Sequence, residues 1–237
     1  MALDAATIEA NIARVREEIA NAARSAGRNP DEITLVAVSK TFPAESVRAA
    51  HVAGLRHFGE NRVQETESKR RSLADLAATW HLIGHLQSNK VRRAVELFDR
   101  IDSVDSTALA EKINDAAAEH GKQLGILIEV HMGETTKTGV AETDLPDLTR
   151  AATSLSHLDL LGLMTVPPYS DDPEFARPYF QKLRVLRDEI ARQVGHPLPV
   201  LSMGMSHDFR IAIEEGATEI RVGTAIFGQR SSPARVL

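Results

Sequence analysis

The chain has 237 residues, of which 43% are hydrophobic and 26% charged, and its formal net charge is -5. That length suits one α/β barrel, so we expect a single domain over residues 1–237. Because the net charge is negative, the protein lacks the positive electrostatic field that attracts a phosphate backbone, so nucleic acid is not an expected partner. The chain has no cysteine, which excludes disulfides and thiolate chemistry.

The beginning of the chain predicts one amphipathic helix. Ile8, Ile12, Val15, Ile19 and Ala22 recur at steps of four and three, which is typical of an apolar stripe on a helix. Acidic residues interrupt this stretch, so it resembles neither a signal peptide nor a membrane span. We therefore expect a cytoplasmic protein without a membrane segment.

Eight alternations of strand and helix follow this first helix. Short apolar runs rich in β-branched residues, such as ITLVAVSK, are typical of parallel strands buried on both faces. The predicted strands lie at residues 33–40, 56–59, 79–84, 100–104, 124–132, 158–166, 200–203 and 219–223. Eight such units predict an α/β fold, a closed (β/α)8 barrel of the TIM type with an extra N-terminal helix. An open doubly wound sheet is the alternative, although no G-x-G-x-x-G follows the first strand.

Chemistry-bearing residues gather at the carboxyl ends of the predicted strands. Lys40 ends the first strand, and the segments SMGMS at 202–206 and RVGT at 221–224 end the seventh and eighth. Barrels frequently bind a phosphate in these last two loops, through free backbone N–H groups. A lysine and a phosphate site at one mouth suggest a phosphorylated aldehyde held as a Schiff base. Pyridoxal phosphate is the commonest such ligand.

Six segments carry a resemblance to a known family. They are AVSK at 37–40, FGENRVQE at 58–65, WHLIGHLQSNK at 80–90, GLMTVPP at 162–168, LSMGMSHDF at 201–209 and IRVGTAIFG at 220–228. Together they closely resemble the pyridoxal phosphate homeostasis proteins, the YggS/PROSC-like family. The resemblance implies a barrel like the N-terminal domain of alanine racemase, of the fold type III class, with a covalently held pyridoxal phosphate and no established turnover.

The resemblance also implies which residues surround the cofactor. They are Lys40, Asn61, Met164, Ser206, Arg221, Gly223 and Thr224. Lys40 would form the Schiff base, the residues of the last two loops would hold the phosphate, and Asn61 and Met164 would lie beside the ring. Arg221 would face the pyridine nitrogen. A guanidinium stays protonated and would leave that nitrogen unprotonated, which disfavours carbanion chemistry but not reversible capture of the aldehyde.

A pyridoxal phosphate-dependent amino-acid racemase, or a related enzyme, is the first alternative. Racemisation needs acid–base groups on both faces of the substrate carbon, and Lys40 serves only one. In the racemases that this barrel resembles, the second base is a tyrosine of an added β domain, for which the nine residues after Gly228 leave no room. Val166 also replaces their ring-stacking histidine. We therefore expect a monomer that releases cofactor to apo enzymes or buffers it.

A phosphate-sugar barrel enzyme, with Lys40 as an electrostatic residue, is the second alternative. It lacks a carboxylate pair, since Glu129 and Asp102 have no assigned partner. No metal site is expected, because His81 and His85 have no third ligand at metal spacing.

Two polar segments have simpler interpretations. Thr135, Thr136 and Lys137 would lie over the mouth as a lid, where the hydrated lysine would form an imine less readily than Lys40. The run at residues 69–71, KRR, is predicted to be a solvated helix surface.

Overall fold

The computed structural model describes residues 3–133 and 138–229, so the predicted lid residues Thr135, Thr136 and Lys137 lie outside the described residues. A closed barrel of parallel strands forms its centre, and the last strand pairs with the first. The strands are β1 (Thr34–Val38), β2 (His57–Glu60), β3 (Thr79–Leu82), β4 (Arg100–Val104), β5 (Leu124–Glu129), β6 (Leu158–Met164), β7 (Val200–Met205) and β8 (Glu219–Val222). The predicted (β/α)8 barrel is confirmed.

Helices cover the outside of the barrel. They are α1 (Ala5–Ser25), α2 (Ala44–Val52), α3 (Val63–Ser72), α4 (Val91–Leu97), α5 (Thr107–Glu119), α6 (Leu145–Ser154), α7 (Arg177–Val194), α8 (Phe209–Glu214) and α9 (Thr224–Phe227). None of the helices in the described ranges combines the length and hydropathy that crossing a membrane requires.

Helix α1 is the predicted extra N-terminal helix. Asp4 caps it by accepting a hydrogen bond of 2.7 Å from the backbone N–H of Thr7. Its predicted stripe, from Ile8 to Ala22, is buried against the body of the domain, where α1 packs on α2, α8 and α9. The helix therefore supports the segment that follows β8.

Most strands differ from the prediction by one or two residues at a boundary, and two elements differ by more. β5 ends at Glu129, because the next residue, Val130, forms an isolated bridge with Val140 in the returning loop. Helix α3, which the sequence predicts to run to about residue 77, ends at Ser72, since Leu73 turns inward and is buried. Both differences arise from tertiary contacts that hydrophobic periodicity does not record.

Candidate functional site

The end of β1 lies against the loop that follows β8. The strands pair in register, with Val36 opposite Arg221. A Cβ on Gly223 would stand 3.2 Å from the Val38 carbonyl oxygen, so this glycine allows close approach. Lys40 is half-buried and follows Val38 by two residues, at most about 7 Å of extended chain. The lysine therefore emerges beside the loop predicted to hold a phosphate.

Ser206 joins the loops after β7 and β8. Its hydroxyl accepts hydrogen bonds from the backbone N–H groups of Gly223 at 3.3 Å and Ala225 at 3.4 Å. A hydroxyl and two backbone donors thus converge on one point, a donor set that suits a phosphate oxygen. We call Ser206, Gly223 and Ala225 the anion cradle; Thr224 lies between its last two members and is exposed.

Buried packing holds the anion cradle in place. Gly204 has φ +91°, and a Cβ there would lie 2.5 Å from the Ala212 Cβ, so α8 approaches the end of β7 only because this residue is glycine. From α1, the Asn11 amide donates to the Ile226 carbonyl at 3.0 Å and Arg14 donates to the Ala225 carbonyl at 3.2 Å. The cradle is therefore supported from both sides.

Arg221 lies inside the barrel below the mouth. It is buried, and its Nη1 donates to Ser202 Oγ at 2.7 Å while its Nη2 donates to the Thr165 carbonyl at 2.8 Å. Burial lowers the pKa of Arg221, while the negative charges of Glu219 and Asp102 act to raise it. A guanidinium retains its proton in proteins, so a fixed positive charge underlies the mouth.

Asn61 and Met164 occupy the same end of the barrel. Asn61 follows β2, and its Oδ1 is buried without a hydrogen-bond partner among the described residues. Met164 ends β6 and is fully buried, opposite Glu129 and Ser202 in the strand register. An amide oxygen that requires a donor and a buried thioether are groups that a polar aromatic ring can contact.

A chain of charged and imidazole groups crosses the barrel interior, and the sequence alone did not suggest it. His57 Nδ1 lies 3.0 Å from His81 Nε2, and His81 Nδ1 lies 2.9 Å from Asp102 Oδ2. Arg100 donates to Asp102 at 3.1 Å and to Glu219 at 2.8 Å. We call these five residues the interior network. The available signal in the sequence was the occurrence of polar residues at alternate strand positions, which face the barrel interior.

Burial and neighbouring charges shift the pKa values of two members of the interior network. Burial raises the pKa of Asp102, but the charges of Arg100 and His81 outweigh it and hold that pKa below its ordinary value. Burial lowers the pKa of His57 to about 4, with the charges of His81 and Arg100 acting in the same direction. The partners that the sequence could not assign to Asp102 are therefore His81 and Arg100.

Two further residues that could bind a metal ion do lie near His81, contrary to the expectation from sequence spacing. Ligand atoms of His81, Asp102 and Glu219 lie within 4.8 Å of one another. Arg100 donates to both carboxylates and supplies the positive charge that a cation would bring. The arrangement therefore serves as an ion-pair network. His85 Nδ1 instead lies 3.4 Å from Asp105.

The position of Lys69 differs from the prediction that residues 69–71 form a solvated helix surface. The lysine is buried, at 8% exposure of its side chain, and pairs with the buried Glu60. Its Nζ also donates to the Ser39 carbonyl at 2.9 Å, directly before Lys40. The predicted solvated surface thus holds only for Arg71, because Arg70 is half-buried with its guanidinium 5.2 Å from the centroid of the Trp80 ring. The burial of Lys69 follows from the carboxylate that the end of β2 places beneath this helix position.

Glu129 is the remaining acid singled out from the sequence. It accepts a hydrogen bond from the Thr138 hydroxyl at 2.9 Å. Burial raises its pKa above the ordinary value, while this hydrogen bond and the charge of Arg221 act against the rise. Asp102 is held within the interior network, so the two acids do not form the carboxylate pair that a phosphate-sugar enzyme would need.

The fold and this mouth define a class: an α/β barrel with an amine after its first strand and an anion cradle after its last two. The family model described as "Alanine racemase, N-terminal domain" matches residues 3–231. The chain belongs to the pyridoxal phosphate homeostasis protein family, within the larger family defined by that domain.

Two relatives carry the name pyridoxal phosphate homeostasis protein. The one from Aquifex aeolicus is 47% identical over 220 residues, which cover 92% of this chain and 96% of that protein. The one from Pseudomonas aeruginosa is 44% identical over 225 residues, which cover 94% of this chain and 96% of that protein.

Solved structures agree in fold. PipY of Synechococcus elongatus, with PLP bound, superimposes with a TM-score of 0.84 at 40% identity and covers 93% of this chain and 100% of that chain. Alanine racemase of Clostridium difficile superimposes with a TM-score of 0.74 at 16% identity and covers 95% of this chain and 57% of that chain. The racemase likeness shows the shared barrel alone.

Proposed function

We propose that this chain binds pyridoxal phosphate as a Schiff base on Lys40 and takes part in intracellular homeostasis of that cofactor, without catalytic turnover. The observation that carries the proposal is the contact between the end of β1 and Gly223, which brings the lysine-bearing loop beside the anion cradle. PipY, solved with PLP bound, and the names of the relatives support the choice of ligand.

The residues at the mouth fit this ligand group by group. Ser206, Gly223 and the exposed Thr224 offer donors to the phosphate. Asn61 offers a buried amide oxygen and Met164 a buried apolar surface to the ring. Pyridoxal phosphate supplies an aldehyde that condenses reversibly with an amine, and Lys40 supplies the amine.

Two features favour storage over turnover. Arg221 is fixed by Ser202 and Thr165, so its positive charge at the pyridine nitrogen would weaken the ring as an electron sink. Tyr169, on a loop near the mouth, is 80% exposed and donates its hydroxyl to Asp171 at 2.9 Å, away from a role as a second base. Release to apo enzymes, a monomeric state and a cytoplasmic location belong to the same proposal.

Chemical trapping tests the binding claim. The purified chain is incubated with pyridoxal phosphate, reduced with borohydride, digested and analysed by mass spectrometry. We expect the phosphopyridoxyl group on the peptide containing Lys40, and we expect Lys40→Arg, which keeps the charge, to abolish it. An adduct on a different lysine of the wild-type chain, or none at all, would overturn the proposal.

Isotope exchange tests the absence of turnover. The loaded protein is incubated with several L-amino acids in deuterated water, and deuterium at Cα is followed by NMR. We expect no exchange beyond that of free pyridoxal phosphate at the same concentration. Faster exchange that disappears in Lys40→Arg would support the racemase alternative.

A further inference from the structure

The turn that carries Lys40 is held in a strained conformation. The backbone N–H of Phe42 donates to the Ser39 carbonyl at 3.1 Å, which closes a β-turn with Lys40 at its second position. Thr41, at the third position, has φ +69° and is the one non-glycine residue with positive φ in the described ranges. Type II turns place glycine there, and a β-branched residue is strained in that region. Such strain persists only where the surroundings impose it.

Buried contacts impose it through Ser39. Its N–H donates to the Gly59 carbonyl at 3.0 Å, and its carbonyl accepts a second hydrogen bond, from Lys69 Nζ at 2.9 Å. Its hydroxyl donates to Glu60 Oε1 at 2.7 Å, and the same carboxylate oxygen pairs with Lys69. Every polar group of Ser39 is therefore hydrogen-bonded, to β2, to Lys69 of α3 or within the turn itself.

The cluster of Ser39, Glu60 and Lys69 is a costly means of stabilising a fold. Ser39 and Glu60 are fully buried, and Glu60 Oε2 has no hydrogen-bond partner among the described residues. Desolvation of a buried ion pair offsets most of its attraction, so apolar side chains of similar size would serve stability as well. Apolar side chains, however, could not form hydrogen bonds with the Ser39 carbonyl and hydroxyl.

We propose that Ser39, Glu60 and Lys69 act as positioning residues that fix the turn at Lys40, so that its amine is directed at the cofactor aldehyde. This inference rests on the proposed function, and none of the three residues need touch the cofactor. Without these hydrogen bonds to Ser39, the turn relaxes out of the strained conformation at Thr41. Lys40 then spends less time directed towards the anion cradle.

A neutral variant of similar shape, Glu60→Gln with Lys69→Met, removes the hydrogen bond from Lys69 to the Ser39 carbonyl and the ion pair without leaving a buried charge. The readouts are the affinity for pyridoxal phosphate by absorbance titration and the rate of borohydride trapping on Lys40. We expect both to fall by about tenfold, because small displacements of a reacting group slow its reaction strongly. Lys69→Arg, which still donates to both partners, should stay within about threefold of wild type.

Glu215→Gln is the matched control. Glu215 is also buried, and it pairs with Arg177 at 2.8 Å at the end of α8, away from the mouth. We expect it to lower thermal stability without changing affinity or trapping rate. If the neutral double variant likewise changes only thermal stability, the cluster has a structural role and the proposal is overturned.

Ser39→Ala covers the case in which the double variant does not fold. It removes one hydrogen bond to Glu60 and leaves the ion pair, so we expect about a threefold loss of trapping rate. An unchanged rate would also overturn the proposal. If the wild-type chain is not labelled on Lys40 at all, the proposed function fails instead, so the two failures are distinguishable.

Discussion

Arg221 and Ser202 are joined by a hydrogen bond of 2.7 Å that links β8 to β7 beneath the mouth of the barrel. A second bond, to the Thr165 carbonyl, ties the same guanidinium to the residue after β6. Three neighbouring strand ends therefore share one cation. Because two of its N–H groups donate to protein acceptors, the guanidinium is held in place before any ligand arrives.

Removing that charge should destabilise the barrel. Arg221→Met leaves Glu219, Asp102 and Glu129 with one positive charge fewer in the interior, so we expect a loss of about 3–5 kcal/mol in the free energy of unfolding, measured by urea denaturation. The control is Arg184→Met, whose side chain is partly exposed, with an expected loss below about 1 kcal/mol. Equal losses in the two variants would contradict this account.

Ser206→Ala should weaken binding of the phosphate group alone. The hydroxyl is the meeting point of the two loops, so we expect about tenfold lower affinity for pyridoxal phosphate by absorbance titration. Affinity for pyridoxal, which lacks the phosphate, serves as the control and should be unchanged. A parallel loss for both ligands would mean that the substitution disturbs Lys40 and not the anion cradle.

Gly204→Ala should be among the most destabilising single-methyl additions in this chain. The new Cβ would meet the Ala212 Cβ at 2.5 Å in a backbone conformation with φ +91°. We expect a loss of about 2–4 kcal/mol in the free energy of unfolding. Gly121→Ala is the control: its φ is +60° with nothing within 4 Å of the new Cβ, and we expect only about 1 kcal/mol. Similar losses would show that backbone strain, and not the close contact, determines the cost.

His57 should make the protein less stable in mild acid. Its pKa is about 4 in the folded chain against 6.5 ordinarily, so the unfolded chain binds more protons between those values. The free energy of unfolding therefore falls as pH drops from 6.5 to 4. Allowing for partial exposure of the ring, the contribution is about 1–2 kcal/mol. His57→Gln should flatten this part of the stability curve in urea denaturation at pH 7, 5.5 and 4. An unchanged slope would refute the assignment.

The barrel could be predicted because its signals are local. The stripe from Ile8 to Ala22 has the period of a helix, and the strand runs are apolar and β-branched. Placement of Lys40 and Ser206 at one mouth followed from the geometry of parallel strands, whose carboxyl ends share an edge.

The interior network and the burial of Lys69 could not be predicted in the same way. Register shifts between β4 and β5 and between β7 and β8 interrupt the alternation from which inward residues are counted. Lys69 stands in a charged run of the kind that is usually exposed, and the carboxylate of Glu60, from another element, makes its burial favourable. Both depend on contacts between segments distant in sequence.

Pairing of β1 with β8 has a consequence for biosynthesis. The ribosome delivers the amine-bearing turn about 165 residues before it delivers Ser206, so a nascent chain exposes the amine long before the groups that complete its pocket. Cofactor capture in the proposed geometry therefore has to wait until the final strand closes the ring, which couples loading to completion of the fold.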